Sequence, residues 1–201
     1  TTGGSMPSAG KLARIAAILR KTYGARQPQR RWGNPLDSVI HTLLSQNTTA
    51  ANCERAYTQL RQRFRTWEAV WEAPLKDLIA AIRSGGLANI KAVRIKALLE
   101  EIWRAQRHFD LSFLRDLPDE EVRAYLGRFK GIGSKTTACV LLFGLGRPAF
   151  PVDTHVFRIC RRLGLLDGQP TPEKAQAFLE SQVRPRDCHA LHVHLVEHGR
   201  A

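Results

Sequence analysis

Apolar residues recur every three or four positions along almost the whole chain, and this periodicity restricts the possible fold more than any other feature. One face of a helix over Lys11–Tyr23, for example, collects Leu12, Ile15, Ile18 and Leu19. No internal repeat, low-complexity tract or ladder of alternating apolar and polar residues interrupts the pattern. Short apolar runs such as 140–143 resemble strands in isolation, but their neighbours favour helix. The sequence therefore predicts an all-α protein.

Polar segments that contain glycine or proline divide this pattern into separate helices. The expected helices are Lys11–Tyr23, Leu36–Gln46, Ala50–Phe64, Pro74–Ile82, Ile90–Gln106, 118–128, Ser134–Leu145, Thr154–Leu163, 172–183 and 186–198, with a short element at 111–116. Ser8 is the expected N-cap of the first helix, and Ser45–Thr49 supplies a turn and a cap between the second and third. The Arg-rich segment Gly24–Asn34 is expected to form a loop.

The charge balance indicates a polyanionic partner. The chain has 201 residues, with 31 Lys and Arg against 18 Asp and Glu, for a formal charge of +13. Nucleic acid is the first candidate, because phosphate neutralisation drives its binding; an anionic membrane or a merely basic protein is the alternative. No apolar run is long enough to cross a bilayer, and Thr1–Ser5 lacks the apolar core of a secretion signal. An intracellular, cytoplasmic and nucleoid-associated protein is expected.

The cysteines do not form a metal or disulfide pattern. Four are scattered without a C-x-x-C pair: Cys53, Cys139, Cys160 and Cys188. Small buried thiols are the expected interpretation. A zinc site is the weaker alternative, because it lacks acidic partners and a full ligand set; its ligands would come from Cys188, His189, His192, His194 and His198. The sequence thus predicts no metal ligands.

The segment Lys130–Lys135, KGIGSK, joins two helical segments and carries the most specific signal in the sequence. Gly131 and Gly133 allow a tight turn around Ile132, which is expected to insert into the core while backbone N–H groups face outward to bind a phosphate. An ordinary corner between two helices is the alternative. A nucleotide-binding P-loop is excluded, because a serine separates the second glycine from the lysine and no glycine stands at the required upstream position.

Lys135 and Asp153 are the candidate catalytic pair. Lys135 falls in the first turn of a helix, where the dipole and apolar neighbours favour a neutral, nucleophilic amine; a surface lysine is the alternative. The apolar, proline-containing segment 146–152 is long enough to run back along this helix and return Asp153 near Lys135. Asp153 also stands where the N-cap of the next helix belongs, so capping alone is the alternative explanation.

These motifs together resemble the endonuclease III family of the helix-hairpin-helix DNA glycosylase superfamily. The similarity extends over roughly residues 8 to 200 and includes Gly131–Ala138, Val152–Arg158, Leu43–Ser45, Gly86–Ala92 and His198–Arg200. It implies two helical lobes with the active-site cleft between them. A central domain over 29–147 would carry the hairpin, and a second domain would combine 1–28 with 148–201.

The resemblance implies a base excision repair glycosylase with AP lyase activity, which acts as a monomer on oxidised pyrimidines or abasic sites in duplex DNA. Lys135 would attack C1′ of the flipped-out nucleotide, Asp153 would stabilise the developing positive charge, and β-elimination would cut the strand. The implied DNA-binding residues are Gly131, Ile132, Gly133, Ser134, Gln46 or Asn47, Leu87, Arg147, His155 and Arg158. A monofunctional glycosylase for uracil, mismatched thymine or alkylated bases, and a catalytically weak DNA-binding paralogue, are the alternatives.

The chain departs from the family pattern in three places. Lys130 replaces the usual proline before the hairpin, Asn47 replaces the usual glutamine, and Ala50 replaces an expected aspartate, which leaves the lesion and opposite-base preference open. Relatives continue past the His-Gly-Arg motif into four cysteines that bind a 4Fe–4S cluster. No such ligands are encoded here, so a cluster is expected only if the natural chain continues past Ala201.

Overall fold

The computed structural model describes residues 9–28, 32–166, 168–169 and 171–200, and the expected Ser8 cap lies outside them. Every regular element in this part of the chain is helical, which confirms the all-α prediction. None of these helices is long and apolar enough to span a membrane. Contacts separate two compact units, Trp32–Val140 and the combination of Thr1–Arg31 with Leu141–Ala201. These limits differ by a few residues from the expected breaks after residues 28 and 147.

The continuous unit, Trp32–Val140, is built around one long helix. Its helices are α2 (Pro35–Ser45), α3 (Ala50–Arg63), α4 (Trp67–Glu72), α5 (Leu75–Ile82), α6 (Ala88–Gln106), α7 (Asp119–Gly127) and α8 (Ser134–Cys139), with 3₁₀ turns at Arg83–Gly85 and Ser112–Arg115. The apolar stripe of α6 places Ile95, Leu99 and Ile102 in the core without measurable exposure. Removing these side chains from water stabilises the unit by roughly 1.5–3 kcal/mol each.

The Asn34 side chain bonds the start of this unit to the loop that follows α6. The Asn34 Oδ1 accepts from Leu36 N at 3.0 Å, which caps α2, and also from Leu111 N at 3.1 Å. The Asn34 Nδ2 donates to Phe109 O at 2.7 Å. Because the cap bond satisfies a backbone N–H in the first turn of α2 and the other two bonds hold Asn34 against the loop after α6, Asn34 fixes where α2 starts.

Most expected helices are present with ends shifted by one or two residues, but two regions differ. Helix α4 was not expected; its N-cap is Thr66, which accepts from Ala69 N at 3.1 Å, and its last carbonyls accept bonds from Lys96 of α6. A six-residue helix is too short to show clear periodicity, so its stability depends on these caps.

The helix expected over Ser134–Leu145 is not uniform. It is α-helical to Cys139 and continues as a π-helical turn at Val140–Gly144. After this turn, Arg147 N donates to Leu141 O at 2.9 Å, so the chain reverses immediately. The sequence showed only the apolar run, and the wider turn was not predictable from periodicity.

The discontinuous unit joins α1 (Ala9–Tyr23) to α9 (Thr154–Arg162), α10 (Pro172–Gln182) and α11 (Cys188–Arg200), with a 3₁₀ turn at Pro185–Asp187. Polar contacts hold α1 against α11. His194 Nε2 bonds to Gly24 O at 2.9 Å, and Tyr23 Oη bonds to His198 Nδ1 at 2.7 Å. The C-terminal histidines expected as a zinc alternative therefore help to join helices.

Candidate functional site

The glycine turn after α7 has the predicted tight geometry. Gly131 has a φ of +90°, a conformation that favours glycine, and Ile132 is buried at 5% exposure, as expected for a residue that anchors the turn. One expectation was wrong in part: the N–H of Ile132 does not face outward but donates to Phe129 O at 3.1 Å. Any phosphate bound here would therefore use the other N–H groups of the turn.

Lys135 lies one residue inside α8, directly after the turn, and its side chain is half-buried. Gly133 is the N-cap of α8, and its carbonyl accepts from Thr137 N at 3.0 Å. Thr136 and Thr137, the two residues that follow the lysine, are both buried, so the backbone after Lys135 is packed into the core. The chain thus presents one primary amine from a rigid helix start, as a nucleophile requires.

Gln46 joins the loop after α2 to the hairpin. Its Nε2 donates to Gly131 O at 3.3 Å and to Thr136 Oγ1 at 3.4 Å, and its Oε1 accepts from Arg94 Nη1 at 3.0 Å. A Cβ on residue 131 would lie 3.2 Å from Arg94 Cδ, so the glycine also makes room for this arginine. These bonds reach Thr136, which directly follows Lys135, and Gly131, which starts the turn before it. Sequence reasoning found Gln46 but missed Arg94 and Thr136.

The structure separates Gln46 from Asn47, which the sequence left as alternatives for filling the duplex. Gln46 is bonded to the hairpin, whereas Asn47 is exposed and has a φ of +51°. Leu87, the other expected filler, is 51% exposed and has a φ of +50°. Leu87 is also the N-cap residue of α6.

Asp153 caps α9. Its Oδ1 accepts from Val156 N at 2.8 Å, with the backbone in the extended conformation that N-caps adopt. The second carboxylate oxygen, Oδ2, takes no part in this cap. Capping and a catalytic role are therefore compatible, because each oxygen can serve one of them.

Three side chains hold the irregular segment that leads to Asp153. Phe150 N donates to Glu180 Oε1 at 3.0 Å, and Val152 N donates to Gln176 Oε1 at 3.4 Å. His192 Nδ1 bonds to Pro151 O at 2.9 Å. The contacts are to backbone groups, which no sequence motif marks, and the sequence reasoning did not find this role for Gln176, Glu180 or His192.

The basic residues expected to bind phosphate have contacts within their own unit. Arg158 Nη2 donates to Gly199 O at 2.8 Å, and His155 Nδ1 bonds to the same oxygen at 3.0 Å. Arg158 is exposed and His155 is half-buried, so both reach the surface near the start of α9. Arg147 is half-buried on the other side of the same loop. Their contacts with DNA stay a prediction.

The four cysteines are small buried thiols, as the sequence predicted. None of them forms a disulfide. Burial raises the pKa of Cys160 to about 12 and that of Cys188 to about 11, so both thiols stay protonated at neutral pH. Within the described residues, no three His, Cys, Asp or Glu side chains converge on a possible metal position.

The profile of the HhH-GPD superfamily of base excision DNA repair proteins matches residues 40–185. The chain belongs to this superfamily. The matched range contains Gln46, Leu87, Lys135 and Asp153, so every element of the candidate site falls within it.

Several curated proteins are similar to this superfamily member over most or half of its length. A candidate DNA glycosylase of Arabidopsis thaliana is 41% identical over 165 residues, and the chain spans 56% of that protein's length. Endonuclease III of Sulfolobus acidocaldarius is 32% identical over 83% of this chain and 73% of its own length. The DNA glycosylase/AP lyase ROS1 of Arabidopsis thaliana is 40% identical over 113 residues, which are 56% of this chain and 8% of ROS1.

Solved structures show the same fold. A trapped endonuclease III–DNA covalent intermediate has a TM-score of 0.80 at 24% identity, covering 96% of this chain and 86% of that one. A thermostable thymine-DNA glycosylase has a TM-score of 0.75 at 18% identity, covering 95% and 85%. These similarities confirm the endonuclease III-like fold that the motifs predicted.

Proposed function

We propose that this protein is a bifunctional DNA glycosylase and AP lyase that removes oxidised pyrimidines from duplex DNA. The observation that carries the proposal is the position of Lys135, a half-buried amine in the first turn of α8, directly after the glycine turn. Superfamily membership and the names of two relatives, an endonuclease III and a DNA glycosylase/AP lyase, support the same chemistry. The formal charge of +13 suits a duplex partner.

In the proposed reaction, the Lys135 amine attacks C1′ of a nucleotide that has left the base stack. The bond between C1′ and the base breaks, and the base leaves with the bonding electrons and takes up a proton. Asp153 stabilises the positive charge that develops on the sugar, using Oδ2, the carboxylate oxygen that does not accept the cap bond from Val156 N. The sugar ring opens to a Schiff base, loss of a C2′ proton expels the 3′ phosphate, and hydrolysis releases Lys135.

Borohydride trapping tests this proposal, because it reduces the Schiff base to a stable protein–DNA adduct. We expect the wild-type protein to form the adduct on duplexes that contain thymine glycol or an abasic site. Lys135→Ala should abolish the adduct. Lys130→Ala is the matched control, because it removes the same charge from an exposed position in the same turn and should leave trapping intact.

The other possible functions give different results in the same assay. Base release without an adduct would contradict the lyase activity and indicate a monofunctional glycosylase, with Asp153 acting alone. Damage-specific binding without base release or an adduct would indicate a DNA-binding paralogue. An adduct that persists in Lys135→Ala would show that a different amine is the nucleophile.

A further inference from the structure

Lys91 is an almost completely buried cation in the middle of the continuous unit, at 2% exposure. Its ammonium donates to Leu44 O at 2.6 Å and to Gly85 O at 2.8 Å. Burial lowers its pKa, which the nearby Cys53 partly offsets. A charge placed here is costly unless its hydrogen bonds are made, so the two carbonyls determine where this side chain can lie.

Each of these carbonyls directly precedes a segment that carries an expected DNA-filling residue. Leu44 lies at the end of α2, before the turn that contains Asn47; Gly85 ends a 3₁₀ turn, before Gly86 and Leu87. The Lys91 ammonium therefore links the backbone positions at which the two loops begin. The link is short in space, although the Lys91–Leu44 bond spans 47 positions of sequence.

The tips of both loops have an unusual backbone conformation. Only three non-glycine residues of the described chain have a positive φ, and two of them are Asn47 and Leu87, at +51° and +50°. Both are exposed, so core packing does not explain the conformation. Strained backbone of this kind persists where the surrounding structure holds it, and it is frequent at ligand-binding positions.

We infer that Lys91 is a positioning residue that couples the two loops, so that Asn47 and Leu87 enter the duplex as one unit rather than independently. This inference rests on the proposed function. Arg94, one turn further along α6, donates to Gln46 and joins the first loop to α6 by a separate bond, while Gln46 itself donates to Gly131 of the hairpin. Without the Lys91 ammonium, the two carbonyls lose their shared donor, and the tips no longer have a fixed separation.

Lys96 provides a matched control on the same helix. Its ammonium also donates to backbone carbonyls, Val70 O at 3.4 Å and Ala73 O at 2.8 Å, and burial also lowers its pKa. These carbonyls belong to the end of α4 and not to either expected filling loop. Lys96 is half-buried rather than buried, but Lys96→Met likewise removes an ammonium bonded to several backbone carbonyls, without disturbing the proposed coupling.

The assay uses a duplex with an abasic site opposite 2-aminopurine, whose fluorescence rises when the base is unstacked. Wild-type protein should raise the fluorescence and bind this duplex in preference to an undamaged one. Lys91→Met should reduce that preference by about tenfold, the loss expected for one charged hydrogen bond. Lys96→Met should keep both signals. Equal losses in the two variants, at a temperature where both are folded, would overturn the inference.

A double-mutant cycle keeps the inference testable if Lys91→Met does not fold. Asn47→Ala and Leu87→Ala, alone and together in the wild-type background, should reduce the abasic-site preference non-additively, because coupled tips act as one unit. Additive losses would overturn the coupling while leaving the proposed function intact. A wild-type protein that forms no trapped adduct and shows no abasic-site preference would overturn the proposed function and the inference together.

Discussion

Asp153 is expected to have two separable roles, and two substitutions distinguish them. Asn at an N-cap accepts the same backbone bond as Asp, so Asp153→Asn should keep the bond to Val156 N and lose only the charge at the helix terminus, about 0.3–1 kcal/mol. Asp153→Ala should also lose the cap, for a total of about 1–2 kcal/mol. For a chain of this size, 1 kcal/mol corresponds to a shift of roughly 2–4 °C in Tm.

Both substitutions should abolish base excision, because neither side chain supplies a negative charge to the developing cation. The assays are thermal unfolding and the release of thymine glycol from a labelled duplex. Thr171→Ala is the control: Thr171 caps α10 by accepting from Lys174 N at 3.3 Å, and no catalytic role is expected for it. It should lower stability by about 1 kcal/mol and leave excision unchanged.

Two results would refute this reasoning. If Asp153→Asn lost as much stability as Asp153→Ala, the cap would depend on the charge and not on the acceptor oxygen. If Asp153→Asn kept wild-type excision, the carboxylate would have no part in the chemistry, and capping alone would explain the residue.

Three further predictions concern packing and the thiols. Ile132→Ala should cost about 2–5 kcal/mol in denaturant unfolding, because the side chain is buried at 5% exposure; a loss below 1 kcal/mol would contradict its anchoring role. Gly199→Ala should lower the free energy of unfolding by about 1–3 kcal/mol, because a Cβ on this α11 residue would lie 2.8 Å from the Cβ of His155 in α9. Unchanged thermal stability would show that α9 and α11 move apart easily. The native protein should resist thiol reagents at neutral pH, because burial raises the pKa of Cys160 to about 12 and that of Cys188 to about 11 from 9.0. For the same reason, the free energy of unfolding should fall as the pH rises above about 9. Rapid labelling, or an unfolding free energy that does not change at alkaline pH, would contradict the burial.

The sequence predicted the helices and the motif residues because both leave local signals. Apolar periodicity marked α2, α3 and α6 to within two residues, and the glycine turn correctly indicated that Ile132 is buried. Helix α4 was missed because six residues are too few for a periodic pattern. The π-helical turn at Val140–Gly144 was missed because an apolar run looks the same in either helix type.

Supporting residues were harder to find than expected site residues. Lys91 lies in Gly86–Ala92, one of the segments that carry the family resemblance, but its role was not predicted. Its partners are the backbone carbonyls of Leu44 and Gly85, and a backbone carbonyl has no sequence signature. Arg94 is equally invisible, because a half-buried arginine on a basic helix reads as a solvent-facing one. Such contacts depend on which turns the fold brings together, so they require coordinates.

The division of the chain has a consequence for synthesis on the ribosome. The continuous unit consists of one uninterrupted segment, so it can complete its contacts as soon as Val140 has left the exit tunnel. Helix α1 emerges before the continuous unit but must wait for α11, because Tyr23 and His198, which bond to each other, are 175 positions apart. During translation, α1 therefore remains without its docking surface until α11 has emerged, and chaperones that protect nascent chains can bind it throughout that interval.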